Sequence, residues 1–386
     1  MKKFLIVFIS FYFLFLLSID LSYAIYFDFP LFQDEQLITV YKFEDLIYVL
    51  SQKNNYLILR TFNNDDLINL STNYFDGQIL KVKFIEKYDA FYIAVVTKND
   101  QETKLKILNT NFEIIREMLV SNQNLDLISF DYLQNQDKFI FIFKGSDDFK
   151  IVFINPDNSL QEIFISSSPK EKFQKKIFNN FYTLLTFYNE AENRYRSFVY
   201  NRRNNLIYTS NLPVNFKLFD LAEIGNNFYF CGRDENNKFS LIKLNINNFH
   251  SDYFNYDNIK ISNQLYCRYL EGDLNDLLIL FDDQNFEIKL INSNIALELP
   301  LSYFYQIKNV YLAEPEVFGG RIRMIYENPY RTIFSSINIF DNQDYFINNF
   351  SDFKYIDSFY NNLEDKILMI LQKDRRGKIY SDFSWQ

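Results

Sequence analysis

The sequence predicts an all-β fold of repeated four-stranded antiparallel sheets, and three observations predict it. From Leu125 to Ser166, four short apolar runs rich in Ile, Phe, Val and Leu are separated by clusters of Asn, Asp, Gly and Ser, the pattern of a four-stranded meander. The third run ends in the turn Asn155-Pro156-Asp157-Asn158, and an Asn or Asp directly after an apolar run recurs at Asn63, Asn109, Asn201, Asn245, Asn292 and Asp341. Successive turns lie 44 to 49 residues apart. The second run of each unit gives a separate ruler, starting at Leu46, Ala90, Lys138, Tyr182, Asn227, Asp276, Gly320 and Asp365. A period of that size with four strands per unit is the signature of a β-propeller, whose blades bury one another's faces.

The chain opens with Lys2 and Lys3, an apolar run from Phe4 to Ser18, and the small-residue pattern Ser22-Tyr23-Ala24. This reads as a secretory signal over residues 1–24, cleaved after Ala24. Its apolar run is shorter than the ~20 residues a membrane-spanning helix needs. No cysteine near the cleavage site offers a lipid anchor. The expectation is a periplasmic or secreted protein with no transmembrane segment after cleavage. Residues 25–386 then form a single propeller domain.

Complete units follow over about 37–70, 79–120, 125–166, 173–212, 216–255, 264–301 and 307–347, with 350–386 completing the set. The last unit has room for only three strands. Ile25-Tyr26-Phe27-Asp28-Phe29, ahead of the first complete unit, supplies a fourth and would close the ring, removing two sheet edges at once. Eight blades are therefore expected, or seven if one unit is irregular. The second strands FYIAVV, FIFIF, LLILF and ILMIL are continuous apolar runs, which suits burial on both faces between blades and not the in-out alternation of an outer-membrane barrel.

The chain has a net charge of −9, or −10 once the leader's two lysines and Asp20 are removed. Such a balance argues against a general binder of nucleic acid. The two cysteines, Cys231 and Cys267, fall in the fifth and sixth units. In an oxidising compartment they form a candidate disulfide between adjacent blades, the alternative being two buried thiols.

No catalytic constellation stands out. The single histidine, His250, has no serine or cysteine motif nearby, and two cysteines and one histidine in separate units make no zinc set. The acidic turns at Asp65 and Asp282 lack the Gly and Glu that a calcium loop needs at its sixth and twelfth positions, which hold Leu70 and Asp76, and Glu287 and Ser293. No cofactor and no metal are expected.

Two sets of charged residues are candidates for binding. Acids follow the first strand in six units, at Glu86, Asp131, Glu223, Glu271, Glu314 and Asp357. In register they would line one mouth of the central channel and attract a divalent cation or a basic peptide; a solvated rim is the blander reading. Lys170, Lys172, Lys175, Lys176 and Arg194 gather in the fourth unit, on the face reached by the link into the blade and its second-to-third hairpin. They suit an acidic protein surface or a lipid headgroup, against a merely solvated surface.

In period and strand order the mature chain resembles the bacterial β-propellers as a superfamily. The eight-bladed periplasmic members include quinone-dependent dehydrogenases and scaffolds of outer-membrane protein assembly. Trp385 is the only tryptophan, so the repeated tryptophan motifs of the dehydrogenases are missing, as is the lipid-attachment cysteine of the scaffolds. Sialidase-type Asp boxes and the Gly-His and Trp-Asp pairing of WD40 repeats are also absent. The resemblance implies a fold and leaves function to the site. The reading is a monomeric, non-catalytic cell-envelope scaffold that holds a protein partner; the alternative is a ligand- or ion-binding protein, or an enzyme, with its site at the channel mouth.

Overall fold

A computed structural model describes residues 26–260, apart from 64, 88–89, 169 and 225–226, and within 265–383 the strands named below with the turns at 352–353 and 374–375. Side chains beyond 254 are described at a subset of positions. Almost every element is a strand. Among the described residues no helix is long and apolar enough to cross a membrane.

A short leading strand, β1 (Tyr26–Pro30), precedes the first sheet, β2 (Gln36–Phe43), β3 (Leu46–Lys53), β4 (Tyr56–Asn63) and β5 (Asp66–Tyr74). The second holds β6 (Gln78–Lys87), β7 (Ala90–Asn99), β8 (Glu102–Leu108) and β9 (Ile114–Ser121). The third holds β10 (Asp126–Leu133), β11 (Lys138–Lys144), β12 (Asp148–Ile154) and β13 (Leu160–Ser166). The fourth holds β14 (Glu171–Phe178), β15 (Tyr182–Asn189), β16 (Arg194–Asn201) and β17 (Leu206–Asn211). The fifth holds β18 (Lys217–Ile224), β19 (Asn227–Arg233), β20 (Lys238–Asn245) and β21 (Ser251–Lys260). Then come β22 (Leu265–Leu270), β23 (Leu277–Asp282), β24 (Glu287–Leu290) and β25 (Ile295–Glu298). They are followed by β26 (Asn309–Phe318), β27 (Arg321–Asn328), β28 (Arg331–Asn338) and β29 (Tyr345–Ser351). The chain ends in β30 (Lys354–Asn361), β31 (Lys366–Lys373) and β32 (Arg376–Phe383).

Each group of four is an antiparallel sheet in chain order, and the last group takes β1 as its fourth strand, in the order β1-β32-β31-β30. Tyr26 pairs with Tyr380 and Pro30 with Arg376. The first strands neighbour one another, β2 by β6, β6 by β10, β14 by β18, β18 by β22, β22 by β26, β26 by β30, and β30 by β2.

Turn chemistry explains the ruler read from the sequence. With only 8 glycines, the left-handed turn positions fall to Asn and Asp, among them Asn54, Asp100, Asp137, Asn158, Asn193, Asn204, Asn237 and Asp374, the L-residues that tolerate it best. The side chain of Asn109 accepts from the amides of Asn111 and Glu113, and that of Asn201 from Arg203 and Asn205. These are third-to-fourth hairpins, as the spacing predicts. Asn292 and Asp341 lie outside the described residues. Second strands begin at Leu46, Ala90, Lys138, Tyr182 and Asn227 as expected, and one residue late at Leu277, Arg321 and Lys366.

Burial follows from the period of two. Ile93 and Val95 of β7 pack into a core shared with the first sheet, with Leu50 and Leu57. Ala94 and Val96 turn the other way, into a core shared with Phe141 and Val152 of the third. Both faces are covered, so the run is apolar throughout. The same sharing joins the third sheet to the fourth, through Ile142 and Leu185, the fourth to the fifth, through Val199 and Phe230, and the last to the first, through Ile370, Val49 and Phe62. Fourth strands face solvent: β5 exposes Leu67, Ile68 and Leu70.

Between the third and fourth sheets one lysine is enclosed. Lys138 is 2 % exposed; its Nζ donates to the Arg202 carbonyl and to Asn204 Oδ1 (2.8 Å). Burial, followed by the nearby Arg202, lowers its pKa to about 8. The unfolded chain keeps this proton to about 10.5. Between those values the unfolded state binds more protons, so Lys138 makes stability climb with pH. The unfolding free energy from urea titrations at pH 7.5, 8.5 and 9.5 is expected to rise, by roughly 2 kcal/mol in all after allowance for solvent screening, and Lys138→Met is expected to remove that part of the slope. An identical slope in the variant would contradict the assignment.

Candidate functional site

The first strands share a local device. In six of them a β-bulge interrupts the pairing with the second strand two or three residues in, between Leu37 and Thr39, Ile79 and Lys81, Leu127 and Ser129, Phe173 and Lys175, Leu218 and Asp220, and Tyr355 and Asp357, whereas β22 pairs with β23 without a shift. A bulge bends its strand and re-aims the side chains after it. Thr39, Lys81, Ser129, Lys175, Asp220 and Asp357 are therefore equivalent positions on neighbouring inner strands, near the end where the chain comes into each sheet.

These residues and their neighbours form a mixed-charge network. Lys175 Nζ reaches Asp220 Oδ1 of the next sheet at 3.0 Å. Thr39 Oγ1 donates to Asp357 Oδ2 at 2.5 Å. Asp131 takes two lysines, Lys83 at 2.5 Å and Lys176, while Lys176 also donates to Ser129. Burial lowers the pKa of Lys176 even though Asp131 opposes it, and both Lys83 and Lys81 are close enough to disfavour its charge further. Burial raises the Asp357 carboxyl, against the Thr39 hydrogen bond and the field of Lys83.

Of the acids read from the sequence, the four whose side chains are described do not stand at one level of their strands. Asp357 stands at the bulge position, Asp131 two residues further along its strand, Glu223 three and Glu86 five. Their partners differ accordingly: Glu86 accepts from the Tyr41 hydroxyl at 2.7 Å and Glu223 from Asn179 at 2.9 Å. Glu271 lies outside the described residues. Glu314 sits in the irregular stretch of β26 between Leu312 and Val317, and its side chain is not described.

The basic set divides. Glu171, Asn189 and Arg194 are aligned across β14, β15 and β16, so Lys170, Lys172 and Arg194 do share one end of the sheet. Lys170 is exposed, Lys172 pairs with Glu190, and Arg194 has a buried Nε without a hydrogen-bond partner. Lys175 and Lys176 instead join the acids on the inner strands. Lys81 and Lys83 were not singled out from sequence, although their position three residues and one residue before Phe84 follows once the bulge is known. Two ammonium groups on one carboxylate make this a poor site for a bare cation. Among the described residues no three His, Cys, Asp or Glu side chains gather as a metal set. Calcium, magnesium or manganese at millimolar concentration is expected to give neither heat in calorimetry nor a melting shift; a rise of several degrees would contradict this.

Comparison with solved structures adds the architecture. The Dos1 propeller superposes with a TM-score of 0.53 at 9% identity, covering 92% of this chain and 95% of that one. The fold is a β-propeller. The sheets are its blades and the first strands line its central channel. Two other likenesses agree: a structure from a study of two prolyl endopeptidases (TM-score 0.53, 8% identity, 89% of this chain and 55% of that one) and prolyl oligopeptidase B from Galerina marginata (0.52, 8%, 88% and 56%). The chain spans little more than half of those peptidase chains. No family description and no curated protein matches it.

Proposed function

We propose that this propeller is a non-catalytic binding module of the cell envelope, holding a protein partner against the face where the bulged ends of the inner strands open. Its ring has eight blades closed by β1, it acts as a monomer, and cleavage after Ala24 delivers it to the periplasm or beyond. The observation that supports the reading is the channel network: in a chain of net charge −9, Lys81, Lys83, Lys175 and Lys176 from two blades meet Asp131, Asp220 and Asp357 at that end. The side chains of Lys83 and Lys175 are 47% and 43% exposed, which leaves them accessible to an anionic partner surface. Lys170, Lys172 and Arg194 extend the same face outward.

In-cell crosslinking of the full, tagged chain, followed by mass spectrometry, tests the reading. One envelope protein recovered repeatedly, and lost when Lys83, Lys172 and Lys175 are changed to Glu, is the expected result. Recovery unchanged by those substitutions would overturn it. A disulfide belongs to the same proposal. Cys231 is 1% exposed and disulfide-bonded, and Cys267 of β22 is the one other cysteine in the sequence. Thiol counting under denaturing conditions should find none before reduction and two after.

A further inference from the structure

We propose that a cleft between the fourth and fifth blades binds an acidic side chain of an extended peptide. The inference deepens the docking reading, since the cleft opens on the same face, but it concerns a site outside the channel. The cavity measures about 410 Å³, within the range of small-ligand sites. One wall is aromatic: the rings of Tyr188 and Tyr195 lie 4.8 Å apart, beside Phe216. That wall is fixed, because the Tyr188 hydroxyl donates to Asn193 Oδ1 at 2.7 Å and the amide of Asn215 donates to the Asn193 carbonyl at 3.1 Å.

Two cations share the cleft. Lys217 and Arg233 are direct cross-strand partners in β18 and β19, an arrangement of like charges that costs stability. The next pair holds Gly232, where a Cβ would meet the Lys217 carbonyl oxygen at 2.2 Å and the Phe216 ring at 2.6 Å. The tight approach keeps the two cations side by side. Lys217 has no carboxylate within ion-pair distance among the described residues; its Nζ stands 5.6 Å from the centre of the Phe219 ring. The adjacent Asp234 uses Oδ1 to accept from the amides of Asn236 (2.9 Å) and Lys238 (2.8 Å), and Glu235 is exposed on the hairpin. A carboxylate arriving from solvent pairs with Lys217, while the tyrosine wall takes the apolar part of a peptide. That wall favours a peptide over a bare anion.

The test is fluorescence anisotropy with labelled tetraglutamate on the intact chain, against tetraglutamine and with inorganic phosphate as competitor. Tetraglutamate is expected to bind and tetraglutamine not, with affinity falling at least tenfold in Lys217→Glu at unchanged melting temperature and in Tyr188→Ala measured well below its own melting temperature. Lys83→Glu, in the channel, should leave it unaltered. Equal binding of tetraglutamine, no effect of Lys217→Glu, or displacement by phosphate as effective as by unlabelled tetraglutamate would overturn the proposal. Tetraglutamate binding that persists while no envelope partner is captured would break the docking reading and leave this site standing.

Discussion

Arg60→Met is expected to lower stability by about 3–5 kcal/mol, among the largest effects of any single change in the first blade. The Arg60 and Glu35 side chains are 3% and 0% exposed. The guanidinium donates twice to the carboxylate, once at 2.9 Å from Nη2, and at 3.1 Å to Ser51 Oγ. Removing Arg60 leaves a buried carboxylate facing only Ser51 and the amide of Phe32. Changing both partners, Glu35→Leu with Arg60→Met, should recover most of the loss, because two charges without water are then replaced by apolar packing. Urea unfolding of the two variants checks this. A double variant no more stable than the single one would contradict it.

The second large effect concerns β1. Its Phe29 is 5% exposed, its ring centre 5.2 Å from that of Phe62 in the first blade. Gly377 of β32 leaves room for that ring: a Cβ there would meet it at 2.3 Å. Gln372 of the last blade clips the two ends together, accepting from the Leu37 amide at 2.9 Å and donating to the Glu35 carbonyl at 3.0 Å. Phe29→Ala should cost about 3–5 kcal/mol. Deleting residues 25–31 should do more, exposing β32 as an unpaired edge and promoting association. A synthetic peptide of residues 25–31 is expected to bind the deleted chain and reverse that association, and Gly377→Val to abolish that rescue. A deletion variant with unchanged association and unchanged melting would contradict a role for β1 in covering the edge of β32.

These two sites show what the sequence carried and what it hid. The strand plan was legible because local chemistry writes it: Asn and Asp must take the left-handed turns of a glycine-poor chain, and inner strands covered on both faces must be apolar throughout. The pairing of β1 with β32 was legible from a length, since the last unit lacks a strand that 25–29 can supply. The site was harder to read. Acids were aligned by their distance from the first hairpin, whereas the bulges at Ile38, Leu80, Ile128, Gln174, Phe219 and Ile356 set the register from the other end of the strand. That register puts Lys81 and Asp220 at the same strand level as Lys175 and Asp357, and leaves Glu86 far along its strand. A bulge adds one residue without a compositional mark, so composition could not reveal it. Partners such as Glu35 and Arg60 were invisible for another reason, since their pairing depends on the link folding back over the blade.

Mapping the docking face by position tests the central claim most directly. A photo-crosslinking side chain would be placed in the full chain at Gln174 beside the channel network, at Ile68 on the outer strand β5, and at Asn111 in a third-to-fourth hairpin on the opposite face. The account expects one discrete envelope-protein adduct from Gln174, weakened by Lys83→Glu and Lys175→Glu, and none from Asn111. An adduct formed only from Ile68 or Asn111 would contradict it and move the docking surface to the outer edge or the far side of the ring.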